Sequence, residues 1–261
     1  EKIITGASIF NVDNPLTIKS GGTLTSGSGN VQIDGALTLD GELVQGGGNL
    51  NLSGGATVGA TGKLDIGTGD FNVDSTLTIG SGGTLTSGSG NVQIGGALTL
   101  DGELVQGGGN LNLIGEGAIG VTGKLDIGTG DFNVDSTLTI GSGGTLTSGS
   151  GNVQIGGALT LDGELVQGGG NLNLIGGGAV GATGKLDMSG AELALGGALN
   201  ITGTLAANSS SSWSGWQGTL DLSSGTLESS GGIINLNDFT TGANTTLELS
   251  GDTKISNSND I

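Results

Sequence analysis

The stretch Gly21–Ile33, "GGTLTSGSGNVQI", returns unchanged at residues 82–94 and again at residues 143–155. The three copies follow one another at a spacing of 61 residues. A fixed period of this length is the sequence signature of a repeat architecture, in which each repeat is one structural unit that stacks on its neighbours. The repeat therefore decides the fold.

Each 61-residue unit divides into three shorter segments, which in the first copy cover residues 22–40, 41–61 and 62–82. Within a segment, apolar residues alternate with polar ones, as in Val31/Ile33 and Leu37/Leu39, between corners rich in Gly, Ser and Asp. This period of two is typical of a strand with one buried face. The predicted inward residues of the first unit are Leu24, Val31/Ile33 and Leu37/Leu39, then Leu43, Leu50/Leu52 and Ala56/Val58, then Leu64, Phe71/Val73 and Leu77/Ile79.

A single segment buries too little apolar surface to offset the entropy lost on ordering its backbone of about 20 residues. Stacking supplies the missing stabilisation, because every strand then pairs with its counterparts one turn above and one turn below. Left-handed β-helices are usually built of hexapeptides, and this sequence has no hexapeptide period. We therefore predict an all-β fold, a right-handed parallel β-helix (β-solenoid) with three short strands per turn, about 20 residues per turn and about 12 turns.

The segments of unequal length test this alignment, because a solenoid should lose residues only at a corner. Leu39 and Leu43 are four residues apart, whereas the equivalent Val58 and Leu64 are six apart. The missing pair therefore comes from the corner between the third strand and the next first strand. We predict a single domain over residues 1–261, with a partial first turn at 1–21, nine regular turns at 22–202 and divergent turns at 203–261.

The composition limits the classes of partner. The chain has 60 Gly, one Pro, no Cys and no His, and its 24 Asp and Glu against 6 Lys and Arg give a net charge of −18. Such a charge repels phosphate backbones and anionic lipid headgroups, so we expect no nucleic-acid partner. The sequence has no apolar run long enough for a membrane span, so we expect no membrane insertion. Disulfides and thiolate chemistry are excluded because cysteine is absent.

The lysines occupy one column of the predicted stack. The residue before the first-strand leucine is, in successive turns, Thr23, Glu42, Lys63, Thr84, Glu103, Lys124, Thr145, Glu164 and Lys185. Each Lys in this column therefore lies one turn, about 4.8 Å, from a Glu. We interpret these residues as surface pairs that stabilise the stack, not as ligands.

Acidic residues could serve catalysis, and many carbohydrate-cleaving enzymes are right-handed β-helices, so a carbohydrate-binding or carbohydrate-cleaving protein is kept as the alternative. An active site needs one unique constellation, whereas Asp65, Asp70 and Asp74 recur as Asp126, Asp131 and Asp135. We predict no enzyme, and no catalytic, cofactor-binding or metal-binding residue. A unique site would have to lie in residues 203–261, where Trp213 and Trp216 break the pattern, as an altered core or an aromatic contact surface.

Calcium is the cofactor that the residues leave open. Gly-Asp-rich β-rolls bind it through nine-residue repeats of the form G-G-x-G-x-D-x-U-x. The segment "GTGDFNVDS" at residues 67–75 resembles this form but lacks its first Gly pair and its spacing. We therefore expect no cofactor and a fold that forms without calcium.

Turns of roughly 20 residues with Gly-Asn/Asp corners, together with "GGTLTSGSGNVQI" and "GTLDLSSGTLESSGGIINL", resemble the β-solenoid shafts of bacterial surface adhesins. The families are the filamentous haemagglutinin-like proteins and the passenger domains of autotransporters. The resemblance covers nearly the whole chain and implies an exported, extracellular shaft, stalk or fibre component at the cell surface. It leaves glycans of a host or of a surface open as partners.

The first turn also predicts self-association. It keeps the core template with Ile3, Phe10, Val12, Leu16 and Ile18, so it does not read as a polar cap. Unpaired strand edges at the end of a solenoid are either covered or offered to another chain. We therefore expect either head-to-tail contact between copies, which does not close and yields a filament, or continuation into further turns of a longer parent chain.

Overall fold

The computed structural model describes residues 2–188 and 190–207, and beyond them it describes the backbone of seven strands. Those strands are Ser212–Trp213, Leu220–Leu222, Thr226–Ser229, Gly232–Leu236, Phe239–Thr241, Thr246–Leu249 and Thr253–Asn257. All described strands belong to three parallel sheets, here named A, B and C, with 13, 13 and 12 strands. The chain visits A, B and C in turn, so each strand pairs with the strand three places further along the sequence.

Sheet A contains Lys2–Thr5, Thr23–Ser26, Glu42–Gln45, Lys63–Ile66, Thr84–Ser87, Glu103–Gln106, Lys124–Ile127, Thr145–Ser148, Glu164–Gln167, Lys185–Met188, Thr204–Ala207, Thr226–Ser229 and Thr246–Leu249. Sheet B contains Phe10–Val12, Val31–Ile33, Leu50–Leu52, Phe71–Val73, Val92–Ile94, Leu111–Leu113, Phe132–Val134, Val153–Ile155, Asn171–Leu174, Glu192–Leu195, Ser212–Trp213, Gly232–Leu236 and Thr253–Asn257. Sheet C contains Leu16–Ile18, Leu37–Leu39, Ala56–Val58, Leu77–Ile79, Leu98–Leu100, Gly117–Ile119, Leu138–Ile140, Leu159–Leu161, Gly178–Val180, Leu199–Ile201, Leu220–Leu222 and Phe239–Thr241.

The predicted fold, a right-handed parallel β-helix, is confirmed by this topology. Lys2 pairs with Thr23 across a turn of 21 residues, and Thr23 pairs with Glu42 across a turn of 19 residues. The shorter turn leaves two residues between Leu39 and Glu42, where the longer turn leaves four between Val58 and Lys63. The predicted loss at the corner between sheets C and A is therefore confirmed, and the strand register is unchanged by it.

In some of the longer corners between sheets C and A, a glycine takes a backbone conformation that other residues rarely adopt. Gly21, Gly82 and Gly143, each the first residue of the repeated stretch, have φ values of 77°, 89° and 92°. This is the left-handed region, which residues with a Cβ enter only at a cost. The repeated stretch therefore begins with the glycine that leads the chain into sheet A, whereas Thr61, at the equivalent position one turn before Gly82, has no positive φ.

The core is one continuous column of aliphatic side chains and two phenylalanines inside the three sheets. All the inward residues predicted for the first unit are buried, from Leu43 and Phe71 at 0% exposure to Ala56 at 3%. The outward residue between each pair is exposed, as Thr99 is between Leu98 and Leu100, or half-buried, as Asn51 is between Leu50 and Leu52. Alternation of this kind is what the period of two predicts.

A second inward position was not predicted from the sequence. The fourth residue of each sheet A strand also points inward, and in six described turns it is both polar and buried: Ser26, Gln45, Ser87, Gln106, Ser148 and Gln167. Gln45, Gln106 and Gln167 each donate from Nε2 to a corner carbonyl oxygen at 2.7 Å. Backbone carbonyls at the corner between A and B thus accept from the NH2 group of each buried amide, whereas Oε1 of Gln45, Gln106 and Gln167 is buried without a hydrogen-bond partner among the described residues.

The same corner carries a ladder of side chains along the axis. The backbone N–H of Asn49 donates to Asn30 Oδ1 at 2.9 Å, that of Asp70 to Asn49 Oδ1 at 3.0 Å, and that of Asn91 to Asp70 Oδ1 at 2.8 Å. The ladder continues through Asn110, Asp131, Asn152 and Asn171. Each side-chain oxygen thereby satisfies a corner amide that the strands leave unpaired.

Candidate functional site

The N-terminal end of the solenoid presents three strand edges together. Lys2–Thr5, Phe10–Val12 and Leu16–Ile18 each pair with the strand of the next turn and with no other strand among the described residues. Unpaired N–H and C=O groups of a parallel edge are a template for a further strand. The end is therefore able to accept another turn on all three sheets.

Apolar side chains of the core column are open to solvent at this end. Ile3 is 44% exposed, whereas its in-register partner Leu24, one turn inside, is 2% exposed. Ile3, Phe10, Leu16, Ile18 and Leu24 line a cavity of about 450 Å³. The predicted core template of the first turn is thus present, and its inner face is only partly covered.

The predicted pairing of Lys and Glu in sheet A is confirmed by the register, which sets Lys63 beside Glu42, Lys124 beside Glu103 and Lys185 beside Glu164. Lys185 Nζ lies 3.1 Å from Glu164 Oε1 and 3.1 Å from Asp187 Oδ2. Hydrogen bonds raise the pKa of Lys185 above its ordinary value of 10.5, and the bond to Glu164 has a larger effect than the bond to Asp187.

The acidic residues considered for catalysis are distributed along the rod. Asp70 and Asp131 are steps of the ladder, and each accepts a backbone N–H of the next turn. Asp74 and Asp135 lie exposed at the corner between B and C. Within the described part of the chain, no cluster of three or more Asp, Glu, His or Cys side chains is arranged to hold a metal ion.

The corner between C and A forms a shallow recess that recurs along the rod. In the first unit its lining includes Asp40, Glu42, Thr61 and Lys63, and its volume is about 340 Å³. Thr61 Oγ1 donates to the backbone oxygen of Asp40 at 2.7 Å, which ties this recess to the turn below. The acidic side chains at this corner are therefore part of the solenoid wall.

The region proposed from the sequence for a unique site lies at the edge of what is described. Trp213 belongs to a described strand, but its side chain and the whole of Trp216 lie outside the described residues. In the described part of the chain, no helix has the length and apolar character needed to cross a bilayer.

No protein-family model matches the chain, and no curated protein matches it. One solved structure that matches is the crystal structure of a TibC-catalyzed hyper-glycosylated TibA55-350 fragment. That chain is 15% identical, the match covers 98% of this chain and 94% of that chain, and the TM-score is 0.30.

Proposed function

We propose that this protein is a non-catalytic shaft, spacer or filament subunit of a bacterial surface adhesin or fibre, and that copies add to one another end to end. The observation that carries the proposal is the N-terminal end, where three strand edges and a partly exposed core column lie together. Near-identical turns add length without adding a distinct site, and length is what a spacer requires. An extracellular, surface-attached location belongs to the same proposal.

The groups exposed at this end define which partner can bind there. A strand added to Lys2–Thr5 would complete its backbone hydrogen bonds, and an apolar side chain set over Ile3 would remove that residue from water. Both gains come from the same geometry that joins each turn to the next inside the solenoid. In this proposal the partner is a second copy in head-to-tail contact; further turns of a longer parent chain would make the same kind of contact.

Sedimentation velocity over a range of protein concentrations tests this proposal with a matched pair of variants. Ile3→Asp places a charge over the open core, while Ile4→Asp places it on the outer wall of the same strand, where Ile4 is 67% exposed. We expect concentration-dependent growth of the wild type and of Ile4→Asp, and monomers for Ile3→Asp. Equal growth of both variants, or a monomeric wild type, would contradict axial assembly.

A further inference from the structure

The first two copies of the repeat differ at seven positions, and three of these, Asp34/Gly95, Ser53/Ile114 and Gly55/Glu116, lie at corners between sheets B and C. Each copy has the same glutamine in its sheet B strand, at positions 32, 93 and 154. Two corner positions near it change between the first copy and the others: Asp34 and Ser53 in the first, Gly95 and Ile114 in the second, Gly156 and Ile175 in the third. At both positions the second and third copies share the same change, from a polar side chain to Gly or Ile.

In the first copy the corner is closed by its own hydrogen bonds. Gln32 Nε2 donates to Asp34 Oδ1 at 3.0 Å and to Ser53 Oγ at 3.4 Å. Neither Gly95 nor Ile114 has a side-chain acceptor. The exposed side-chain amide of Gln93 therefore has no hydrogen-bond partner among the described residues. Gln154 stands in the same relation to Gly156 and Ile175. The two changes therefore leave the side-chain amides of Gln93 and Gln154 without the hydrogen bonds that Gln32 makes in the first copy.

The same changes open a notch in the wall. Gly95 forms its floor, Asp74 lies one turn below it, and Ile114 lies one turn above it with 49% of its surface exposed. The concavity has a volume of about 510 Å³, and Asn72, Val73 and Gln93 complete its lining. A Cβ on residue 95 would approach the backbone oxygen of Asp74 to 2.7 Å, so glycine keeps the floor low.

An equivalent set of residues follows in the third copy. Gly156 lies between Asp135 and Ile175, and Ile175 is 47% exposed. The two sets are three turns apart, which is about 14 Å along the axis at 4.8 Å per turn. We name them the Gly95 notch (Asn72, Asp74, Gln93, Gly95 and Ile114) and the Gly156 notch (Asn133, Asp135, Gln154, Gly156 and Ile175).

We propose that the two notches bind a neutral glycan chain that runs along the solenoid. A carboxylate accepts hydrogen bonds from hydroxyl groups, a free carboxamide both donates and accepts, and an aliphatic side chain packs against the C–H face of a sugar ring. Each notch combines these three groups around an open floor, which is the mixture of apolar wall and few polar groups that characterises ligand sites. The inference does not depend on axial assembly.

Other ligands fit the notches less well. The net charge of −18 and the carboxylate in each notch oppose anionic ligands. A cation would find one carboxylate per notch, and no cluster of three or more candidate metal ligands exists among the described residues. A second solenoid laid alongside would bring two acidic walls together, which like charges disfavour. A neutral polyhydroxylated chain meets none of these penalties.

The test uses a microarray of neutral linear gluco-, manno-, galacto- and xylo-oligosaccharides, with sialylated and sulfated glycans as the anionic arm. We expect the intact chain to bind a neutral series, and hexasaccharides to bind at least about tenfold more tightly than disaccharides because they reach both notches. Gln93→Ala with Gln154→Ala removes an exposed hydrogen-bonding group from each notch. This variant should weaken binding of the strongest hexasaccharide by about tenfold.

A matched control and a gain-of-binding variant sharpen the test. Gln32→Ala changes the glutamine that is already bonded to Asp34 and Ser53, and it should leave binding unchanged. Asp34→Gly with Ser53→Ile gives the first copy the residues that the second copy has at these positions. This variant should gain a third glycan-binding notch. Both changes use residues that the chain already carries at equivalent positions, and an unchanged far-ultraviolet circular dichroism spectrum verifies the fold.

The proposal is overturned if no neutral series binds, if anionic glycans bind more tightly, or if Gln93→Ala with Gln154→Ala binds like the wild type. Side-by-side pairing of solenoids that Ile114→Ser with Ile175→Ser abolishes would also overturn it, because the notches would then serve a second copy. Filament growth is read from sedimentation and glycan binding from the array, so this inference and the proposed function fail separately.

Discussion

At the scale of single residues, the direction in which a side chain points decides the effect of a substitution. Leu98 and Thr99 are neighbours in one strand, but Leu98 is 1% exposed and Thr99 lies on the outer wall. Leu98 packs in the aliphatic column, and its strand pairs on both sides. The same change at the two positions therefore tests the inward and outward assignment directly.

We expect Leu98→Asp to lower the free energy of unfolding by several kcal/mol, because it buries a carboxylate with no partner. Thr99→Asp should change it by less than about 0.5 kcal/mol, as is usual for surface substitutions. Chemical denaturation followed by circular dichroism measures both. Similar midpoints for the two variants would show that the assigned register is wrong.

The pH dependence of stability tests the ion pairs that Lys185 makes on the outer wall. Its pKa is raised in the folded state by Glu164 and Asp187, so its contribution to stability is fully present below the ordinary value of 10.5 and is lost as the pH rises through the folded pKa. Lys185→Gln should therefore be slightly less stable than the wild type near pH 8, by under about 1 kcal/mol because the group is partly exposed. The difference should vanish at strongly alkaline pH. Denaturant midpoints at the two pH values measure it, and a difference that grows with pH would be inconsistent with this ion pair.

At the scale of the structural element, the ladder at the corner between A and B joins one turn to the next. Asn91 Oδ1 accepts the backbone N–H of Asn110 at 3.0 Å, while the Asn91 N–H donates to the carboxylate of Asp70. Asn and Asp therefore occupy equivalent steps of the ladder. What the position requires is a side-chain oxygen that reaches the next turn.

Asn91→Ala should cost about 1 kcal/mol, because the N–H of Asn110 loses its acceptor. Asn91→Asp retains an acceptor oxygen and should cost much less. Thermal unfolding of the two variants, monitored in parallel, makes the comparison. If Asn91→Asp were as destabilising as Asn91→Ala, the ladder oxygen would not be the stabilising feature.

The sequence predicted the sheets but not every inward residue. Pairs such as Val31/Ile33 were predicted because hydrophobicity alternates along the strand, and the corner deletion between Leu39 and Leu43 was visible from spacing alone. Gln45 was missed because a polar side chain at an inward position has no hydrophobic signal, and its partner is a carbonyl oxygen from the turn below. Gln93 was also missed, although the change from Asp34 to Gly95 between copies was present in the sequence as a signal.

At the scale of the whole molecule, the solenoid is held together by repetition along one axis. Each turn contacts the turns above and below, and the apolar column is continuous through the described turns up to Ala207. The apolar column and the backbone ladders of the described turns are formed by the chain's own groups. Stability should therefore not require a bound metal.

Removal of calcium provides the corresponding test. We expect the far-ultraviolet circular dichroism spectrum to show the same β structure in a chelator and in millimolar calcium, because no core contact depends on the ion. The segment at 67–75 contributes Phe71 and Val73 to the core and Asp70 to the ladder. A disordered spectrum in the chelator, restored by calcium, would contradict this expectation.

Charge governs how readily copies approach. The net charge of −18 makes solenoids repel one another, and screening at physiological salt, with a Debye length of about 8 Å, reduces that repulsion. Axial contact should therefore be favoured by added salt. The unpaired strand edges and the exposed apolar side chains lie at the end of the rod, whereas the acidic residues lie on its walls.

Electron microscopy of the purified chain at high concentration and physiological salt tests the central claim most directly. A single chain of about 12 turns is about 58 Å long at 4.8 Å per turn, and strands of a few residues give a width of about two to three nanometres. The account predicts rods of that width with varied lengths well above 58 Å, and short particles for Ile3→Asp. Uniform particles about 58 Å long for the wild type, with a monomeric mass at every concentration, would contradict end-to-end assembly.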